Sequence, residues 1–253
     1  MRIKVPILFY HKIGWPPPEV RNRHLYVTPE NFAAQMGYLR RHGYHPLTLA
    51  ELGRALKDGT ALPKRPVVIS FDDGHRDNYT QAFPVLQRHN LKATIFIVTD
   101  FIGQNAGWQP SRKETFAEPL LSWEQIREMQ RGGIVFGSHT CTHPKLNQVP
   151  LAQARQEIIN SRSKLEDGLG ATVESFCYPY GEYNREVADL VQEAGYTAAC
   201  IVEHGNRHSP EDIYTLKRVF IWSDTPLWRF AYYLTSFYDL EQARKRQRKS
   251  AKR

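Results

Sequence analysis

Two hydrophobic periods alternate along the chain. Short apolar runs of β type fall at 5–10, 66–71, 93–99, 134–138, 175–178, 197–202 and 216–222. Helical spacing fills the stretches between them. Phe32, Met36 and Leu39 recur on one face after Thr28-Pro29, a cap residue followed by proline in the first turn. A second helical stretch covers 77–89, where Pro84 must kink or shorten it. Ser122 and Gln125 form a capping box ahead of Ile126 and Met129. Residues 151–165 align Leu151, Ala154, Ile158 and Leu165, and residues 184–194 align Val187, Leu190 and Val191 before Gly195.

Strand and helix alternating over this length predict an α/β fold with a mainly parallel sheet, open or closed into a barrel. No internal repeat, Gly/Ser linker or mid-chain charge run divides the chain, so residues 1–240 are expected to form one domain. The segments 14–28 and 103–121 read as long loops. In a parallel α/β fold, the loops that follow strands are where sites are built.

Composition is that of an ordinary globular protein, with 41% hydrophobic and 24% charged residues in 253. The formal net charge of +8 would suggest a nucleic-acid partner if it were spread over the fold. It is concentrated instead in residues 241–253, where seven Lys or Arg face one Glu and the remainder of the chain carries only +2. A flexible basic tail is expected there. It is a candidate for peripheral contact with anionic lipid, and the simpler reading is a solvated terminus. No specific nucleic-acid binding is expected. No stretch approaches the ~20 apolar residues of a membrane span, and the first residues lack the apolar core and cleavage site of a signal peptide. Three cysteines, Cys141, Cys177 and Cys200, cannot build a disulfide framework. A cytoplasmic location is the expectation these features give.

Three constellations carry chemistry. Ser70-Phe71-Asp72-Asp73-Gly74 ends a β run in two adjacent carboxylates, which repel unless a cation or proton lies between them. Taken alone it could be an acidic turn. Ser138-His139-Thr140-Cys141-Thr142-His143 again follows a β run, and two histidines four apart can reach one metal. A lone pair at that spacing is more often structural, and Cys141 reads as a small buried apolar residue. One Asp added to two His makes a facial ligand set with open positions, which argues for metal-assisted hydrolysis with the second Asp free as a general base. Third, Phe176-Cys177-Tyr178-Pro179-Tyr180-Gly181 makes a stiff turn that can aim a backbone N–H at an oxyanion.

In this order and spacing, SFDDG, SHTCTH and CYPYG resemble the first three motifs of the polysaccharide deacetylases, carbohydrate esterase family 4 or the NodB-homology group. The resemblance extends from VPILFYHKIG to LKRVFIW, nearly the whole chain, and VPILFYHKIG resembles the poly-N-acetylglucosamine deacetylase branch in particular. It implies a distorted (β/α)7-type barrel and hydrolysis of acetyl groups from N-acetylated amino sugars in a glycan, or less often O-acetylated xylan. It also implies a divalent metal, zinc foremost, with Co2+, Ni2+ or Fe2+ as alternatives. Carried onto this chain, Asp73, His139 and His143 resemble the metal ligands and Asp72 the general base. The N–H of Tyr180 resembles the oxyanion donor, and His11 the general acid. Where many members carry an arginine in the third motif that orients the base, this chain has Cys177; Arg218 on the late strand is the substitute candidate.

Trp15, Trp108 and Tyr180 are candidate platforms for a sugar ring. The rival readings are an O-acetyl esterase of the same fold and an inactive carbohydrate-binding protein. An intact Asp72, Asp73, His139 and His143 set argues against the latter.

Overall fold

The computed structural model describes residues 2–18, 20, 22–108, 118–238 and 241. The basic tail therefore lies outside the described residues, apart from Glu241. Seven parallel strands form the centre: β1 (Ile7–Tyr10), β2 (Pro66–Phe71), β3 (Thr94–Ile97), β4 (Val135–Ser138), β5 (Ser175–Cys177), β6 (Ala198–His204) and β7 (Leu216–Phe220). Each pairs with the next in sequence, and β7 pairs back onto β1, with Val219 opposite Leu8 and Phe220 opposite Phe9. The sheet thus closes into a seven-stranded barrel, as the resemblance implies. A short strand, His45–Leu47, adds to the outside of β2. The distortion is concentrated at β6, whose register against β7 shifts between Cys200–Leu216 and His204–Arg218.

The helices are α1 (Pro29–Arg41), α2 (Leu49–Asp58), α3 (Phe83–His89), α4 (Trp123–Arg131), α5 (Leu151–Leu169), α6 (Arg185–Glu193) and α7 (Leu227–Tyr233). Local chemistry accounts for their starts. Thr28 accepts from Asn31 N at α1, and complete capping boxes open α2 (Thr48, Glu51) and α4 (Ser122, Gln125). Pro84 lies in the first turn of α3, where its missing N–H costs nothing. Residues Asn78–Ala82 before it form a π-type turn, so the stretch 77–89 is two pieces, not one helix.

The period-two alternation of the strands divides two apolar clusters. One set of strand residues, including Leu8, Val67, Ile69, Ile95, Phe136, Phe176 and Val219, packs with residues of the outer helices such as Phe32, Leu86, Ile126, Ile158 and Val191. The other set, Ile7, Val68, Phe96, Cys177, Cys200 and Leu216, packs together with Leu49, Leu52 and Leu56 of α2. Helix α2 therefore stops one end of the barrel. The periodicity read above does not include α2, and Gly53 in its middle weakens its helical signal. That glycine is required by close approach: a Cβ there would lie 2.7 Å from Ala198 Cβ and 3.0 Å from Thr197 O. Gly137 answers a similar demand inside the barrel, where a Cβ would meet the Phe96 ring at 2.7 Å and Ser175 O at 2.8 Å. With one end stopped and the interior filled, the opposite end, where every strand terminates, is left for side chains with other roles.

Among the described residues no helix is long and apolar enough to cross a membrane. All three cysteines are buried and free.

Candidate active site

The carboxyl ends of the strands bring the sequence motifs together. Asp72 and Asp73 follow β2, His139 and His143 follow β4, Cys177 ends β5, Tyr180 lies in the turn beyond it, and His11 follows β1. The backbone is forced into the left-handed region at Asp73 (φ 72°), Thr140 (φ 70°), His143 (φ 63°) and Tyr180 (φ 59°). Such conformations cost about 1–3 kcal/mol each and persist where the surroundings over-determine them. Four in one site mark it as the part of the fold where geometry outranks local stability.

Asp73 Oδ1 lies 3.4 Å from His143 Nε2 and 3.6 Å from His139 Nε2. The two imidazole nitrogens face one another at 3.2 Å. All three donors fall within 4.8 Å of each other, the arrangement that one cation between them would explain. The electrostatics agree. Burial opposes charge on His139, but the Cys177 side chain, Asp72 and Asp73 hold it up to about 9, whereas burial and the neighbouring His139 push His143 down to about 3. One imidazole of the facing pair is thus favoured in its charged form and the other in its neutral form. His139 Nδ1 donates to Cys177 O at 2.7 Å, which presents Nε2 to the centre, the usual outer support of a metal-binding histidine. The ligand set thus fits a divalent metal.

Asp72 is held differently. Arg218, fully buried, meets it with both terminal nitrogens, Nη1 to Oδ1 at 2.7 Å and Nη2 to Oδ2 at 2.8 Å. The guanidinium also lies 3.6 Å above the Phe9 ring and donates from Nε to Ile201 O. Burial pushes the Asp72 carboxyl up; Arg218 foremost, with His139 and His11, more than offsets this and leaves it below the usual value, ionised and oriented. Cys177 Sγ adds a third contact, 3.4 Å from Oδ2. Arg218 Nη2 also lies 3.3 Å from Cys177 Sγ, so the guanidinium, the Asp72 carboxylate and the thiol meet in one buried cluster.

His11 sits 4.5 Å from Phe9, ring to ring, within electrostatic reach of both carboxylates. Burial pushes it down to about 4 against the pull of Asp73 and Asp72, so the imidazole is neutral at pH 7. The Tyr180 N–H stands outside the hydrogen bonds of its own turn, which Gly181 and Glu182 make to Tyr178 O and Pro179 O. Its ring covers His143 at 4.6 Å, and Trp108 covers the same imidazole at 4.9 Å.

The structure adds residues that the motifs do not mark. His75 Nε2 approaches the outer oxygen of Asp73 at 3.3 Å. Glu157, on α5, accepts from Cys141 N at 2.8 Å, Thr142 N at 2.9 Å and Thr142 Oγ1 at 2.6 Å, bracing the loop between the two histidines from outside the barrel. Its signal in the sequence is an acid lying within the apolar stripe of Ala154, Ile158 and Leu165. Asp77 accepts from Ile13 N, and Asn78 donates to His11 O at 2.9 Å, together fixing the segment that carries His11.

Comparison with known proteins supports this architecture. A family model described as polysaccharide deacetylase matches residues 59–199. The Bacillus subtilis (strain 168) protein YxkH, a polysaccharide deacetylase by name, is 32% identical over 216 residues, covering 85% of this chain and 71% of that protein. The poly-β-1,6-N-acetyl-D-glucosamine N-deacetylase of Escherichia coli (strain K12) is 26% identical over 83% of this chain, but the chain spans only 35% of that protein. Among solved structures, the Streptococcus pyogenes deacetylase PplD in complex with acetate superposes with a TM-score of 0.81 at 27% identity, covering 93% of this chain and all of that one.

Proposed function

The chain belongs to the polysaccharide deacetylase family, and we propose that it is a metal-dependent hydrolase that removes acetyl groups from N-acetylated amino sugars in a glycan. One observation carries the reading: Asp73, His139 and His143 converge as a ligand set while Asp72, beside them, is ionised and locked by Arg218. The relatives named as poly-β-1,6-N-acetyl-D-glucosamine N-deacetylases support the substrate class.

Asp73, His139 and His143 would hold a divalent metal, zinc foremost, which would supply Lewis acidity toward the acetyl carbonyl and the attacking water. Asp72 takes the proton of the attacking water, with Arg218 holding its oxygens in a single orientation. The Tyr180 N–H donates to the oxygen that gains charge in the tetrahedral intermediate. The proton taken from water passes to the leaving nitrogen by way of His11, which is neutral before the reaction and neutral again after it, giving acetate and a free amine.

A second reading, an O-acetyl carbohydrate esterase, is favoured by the neutral state that burial imposes on His11. An alkoxide leaves more readily than an amine and asks less of its general acid.

Acetate release separates these readings. N-acetylglucosamine oligomers and an O-acetylated xylan are offered to zinc-loaded protein, chelated protein and folded Asp72→Asn protein. The proposal expects acetate from the amide substrate, lost on chelation, restored by metal, and lowered at least 100-fold by Asp72→Asn. His11→Asn should then damage the amide reaction more than any ester reaction. Acetate from xylan alone would select the esterase. Acetate from neither substrate, with metal bound, would remove both hydrolytic readings for these glycans.

A further inference from the structure

Helix α7 is fixed to the rest of the fold by its inner face and by both ends. Phe230 is fully buried and meets the Tyr38 ring of α1 edge-on, with centroids 6.0 Å apart. Gln35 of α1 donates to Thr225 O just before the helix, and Lys4 Nζ donates to Leu234 O just after it at 2.6 Å. The chain beyond packs back on α7. Tyr238 is buried against the rings of Tyr232 and Tyr233, and Tyr232 Oη donates to Glu241 Oε2 at 2.8 Å. Side chains that point outward from this segment are therefore held on a fixed frame.

Those side chains are apolar. Leu227 is 37% exposed, Trp228 67% and Phe237 72%. Three of the eight large apolar residues left exposed among the described residues thus fall within eleven positions. Arg229 is the only charged residue from Leu227 to Tyr238. Its guanidinium lies 5.3 Å over the Trp228 ring and pairs with Asp224 at 3.6 Å. A surface helix normally turns polar groups outward. One that is apolar on both faces calls for a second apolar contact, and the described residues do not supply it.

The sequence that follows indicates which contact. Residues 242–253, outside the described residues, hold seven Lys or Arg and no acid. A second copy of the chain on this face would bring two such clusters together, and their repulsion opposes a dimer. An anionic bilayer suits both features. Tryptophan settles at the headgroup level, where its ring is apolar and its N–H is wet. Arginine lies along such a layer with its stem in and its charge in water, and a run of basic residues gathers lipid phosphates. Either signal alone gives weak, reversible attachment; stable attachment takes two.

We propose that α7 and the segment after it form a docking surface for an anionic lipid bilayer. Leu227, Trp228 and Phe237 enter the headgroup region, and the basic residues of 244–253 bind the lipid phosphates. The proposal does not depend on the acetyl-hydrolysis reading and is tested without substrate.

The full chain is floated with vesicles of phosphatidylcholine alone and with vesicles that contain about one third phosphatidylglycerol. Wild type is compared with Trp228→Ala combined with Phe237→Ala, and with Arg244→Gln, Lys245→Gln, Arg246→Gln and Arg248→Gln together. Ile159→Ala is the control, an exposed apolar residue on α5, which packs against β4 across the barrel from α7. Wild type should bind the anionic vesicles and leave the neutral ones. The apolar double variant should lose about tenfold in affinity, the charge variant at least about 100-fold, and Ile159→Ala nothing. Brominated acyl chains should quench part of the wild-type tryptophan fluorescence, and that part should be absent in Trp228→Phe. Equal binding to both vesicles, or none to either, overturns the proposal. Binding that ignores Trp228 and Phe237 removes α7 from it and leaves a contact through charge alone. A dimer in sedimentation velocity that Trp228→Ala dissolves, without vesicle binding, assigns the face to a second copy instead.

Discussion

Replacing Arg218 by Met tests how the barrel holds a carboxylate in its interior. Methionine keeps an apolar stem of similar length and removes the guanidinium together with its contact over the Phe9 ring, leaving Asp72 buried without its bidentate partner. Breaking a buried pair from one side costs about 3–5 kcal/mol, which for a domain of this size lowers Tm by roughly 6–20 °C. The pH dependence is more diagnostic than the magnitude. In wild type the Asp72 carboxyl is below its ordinary value of 3.8. Its contribution is complete above that value and is lost as pH falls through the depressed one. Without Arg218, burial is the dominant influence and lifts the carboxyl above its unfolded value. The contribution is then complete below 3.8 and is lost as pH rises through the new folded value. The deficit of Arg218→Met relative to wild type should therefore be small near pH 4 and grow toward pH 8. Urea unfolding followed by tryptophan fluorescence across that range measures it. Adding Asp72→Asn to Arg218→Met should recover at least 2 kcal/mol at the upper end, because the stranded charge is gone. A deficit independent of pH, or a double variant no more stable than Arg218→Met, would refute the account.

Two further outcomes follow from other buried groups. Glu157→Ala should weaken zinc binding about 10–100-fold, since it frees the Cys141 and Thr142 N–H groups that fix the loop between His139 and His143. Glu157→Gln, which still offers an acceptor oxygen, should restore most of the affinity in a competition titration with a chromophoric chelator. His208 is fully buried, with Nε2 3.0 Å from Val5 O, and burial pushes it from 6.5 down to about 4. The unfolded chain takes up this proton below pH 6.5 while the native state refuses it until about pH 4. Its stabilising effect is thus complete above pH 6.5 and is lost between 6.5 and 4, an acid destabilisation of up to about 3 kcal/mol. His208→Gln should flatten that limb of the stability curve measured by urea unfolding.

The elements legible in the sequence are those whose signal is local. All seven barrel strands appear as apolar runs, with ends displaced by a few residues at most, because a strand buried on both faces needs a continuous apolar stretch. The caps at Thr28 and Ser122 mark α1 and α4 for the same reason: a cap satisfies orphan N–H groups within four residues of itself. Helices α2 and α7 escape the periodicity. In α2 the glycine that weakens the pattern is imposed by Ala198, a residue 145 positions away. The stretch 77–89 reads as one interrupted helix, and the π-type turn at Asn78–Ala82 divides it in a way that periodicity does not resolve.

At the site, the sequence by itself determined the candidate groups: two adjacent carboxylates, two histidines four apart and an aromatic turn, each directly after a strand. Parallel strands feeding one barrel end must bring such groups into proximity, so the constellation needs only the strand order. Tertiary structure decided the partners. Arg218 meets Asp72 across 146 positions because β7 closes onto β1 and strand alternation turns both side chains inward. Glu157 reaches the histidine loop only because α5 packs outside β4. Identity of the candidate groups is written in residue types and spacing. Their ionisation, orientation and reach are set by burial and by neighbours remote in the chain, and neither is a property of any local stretch.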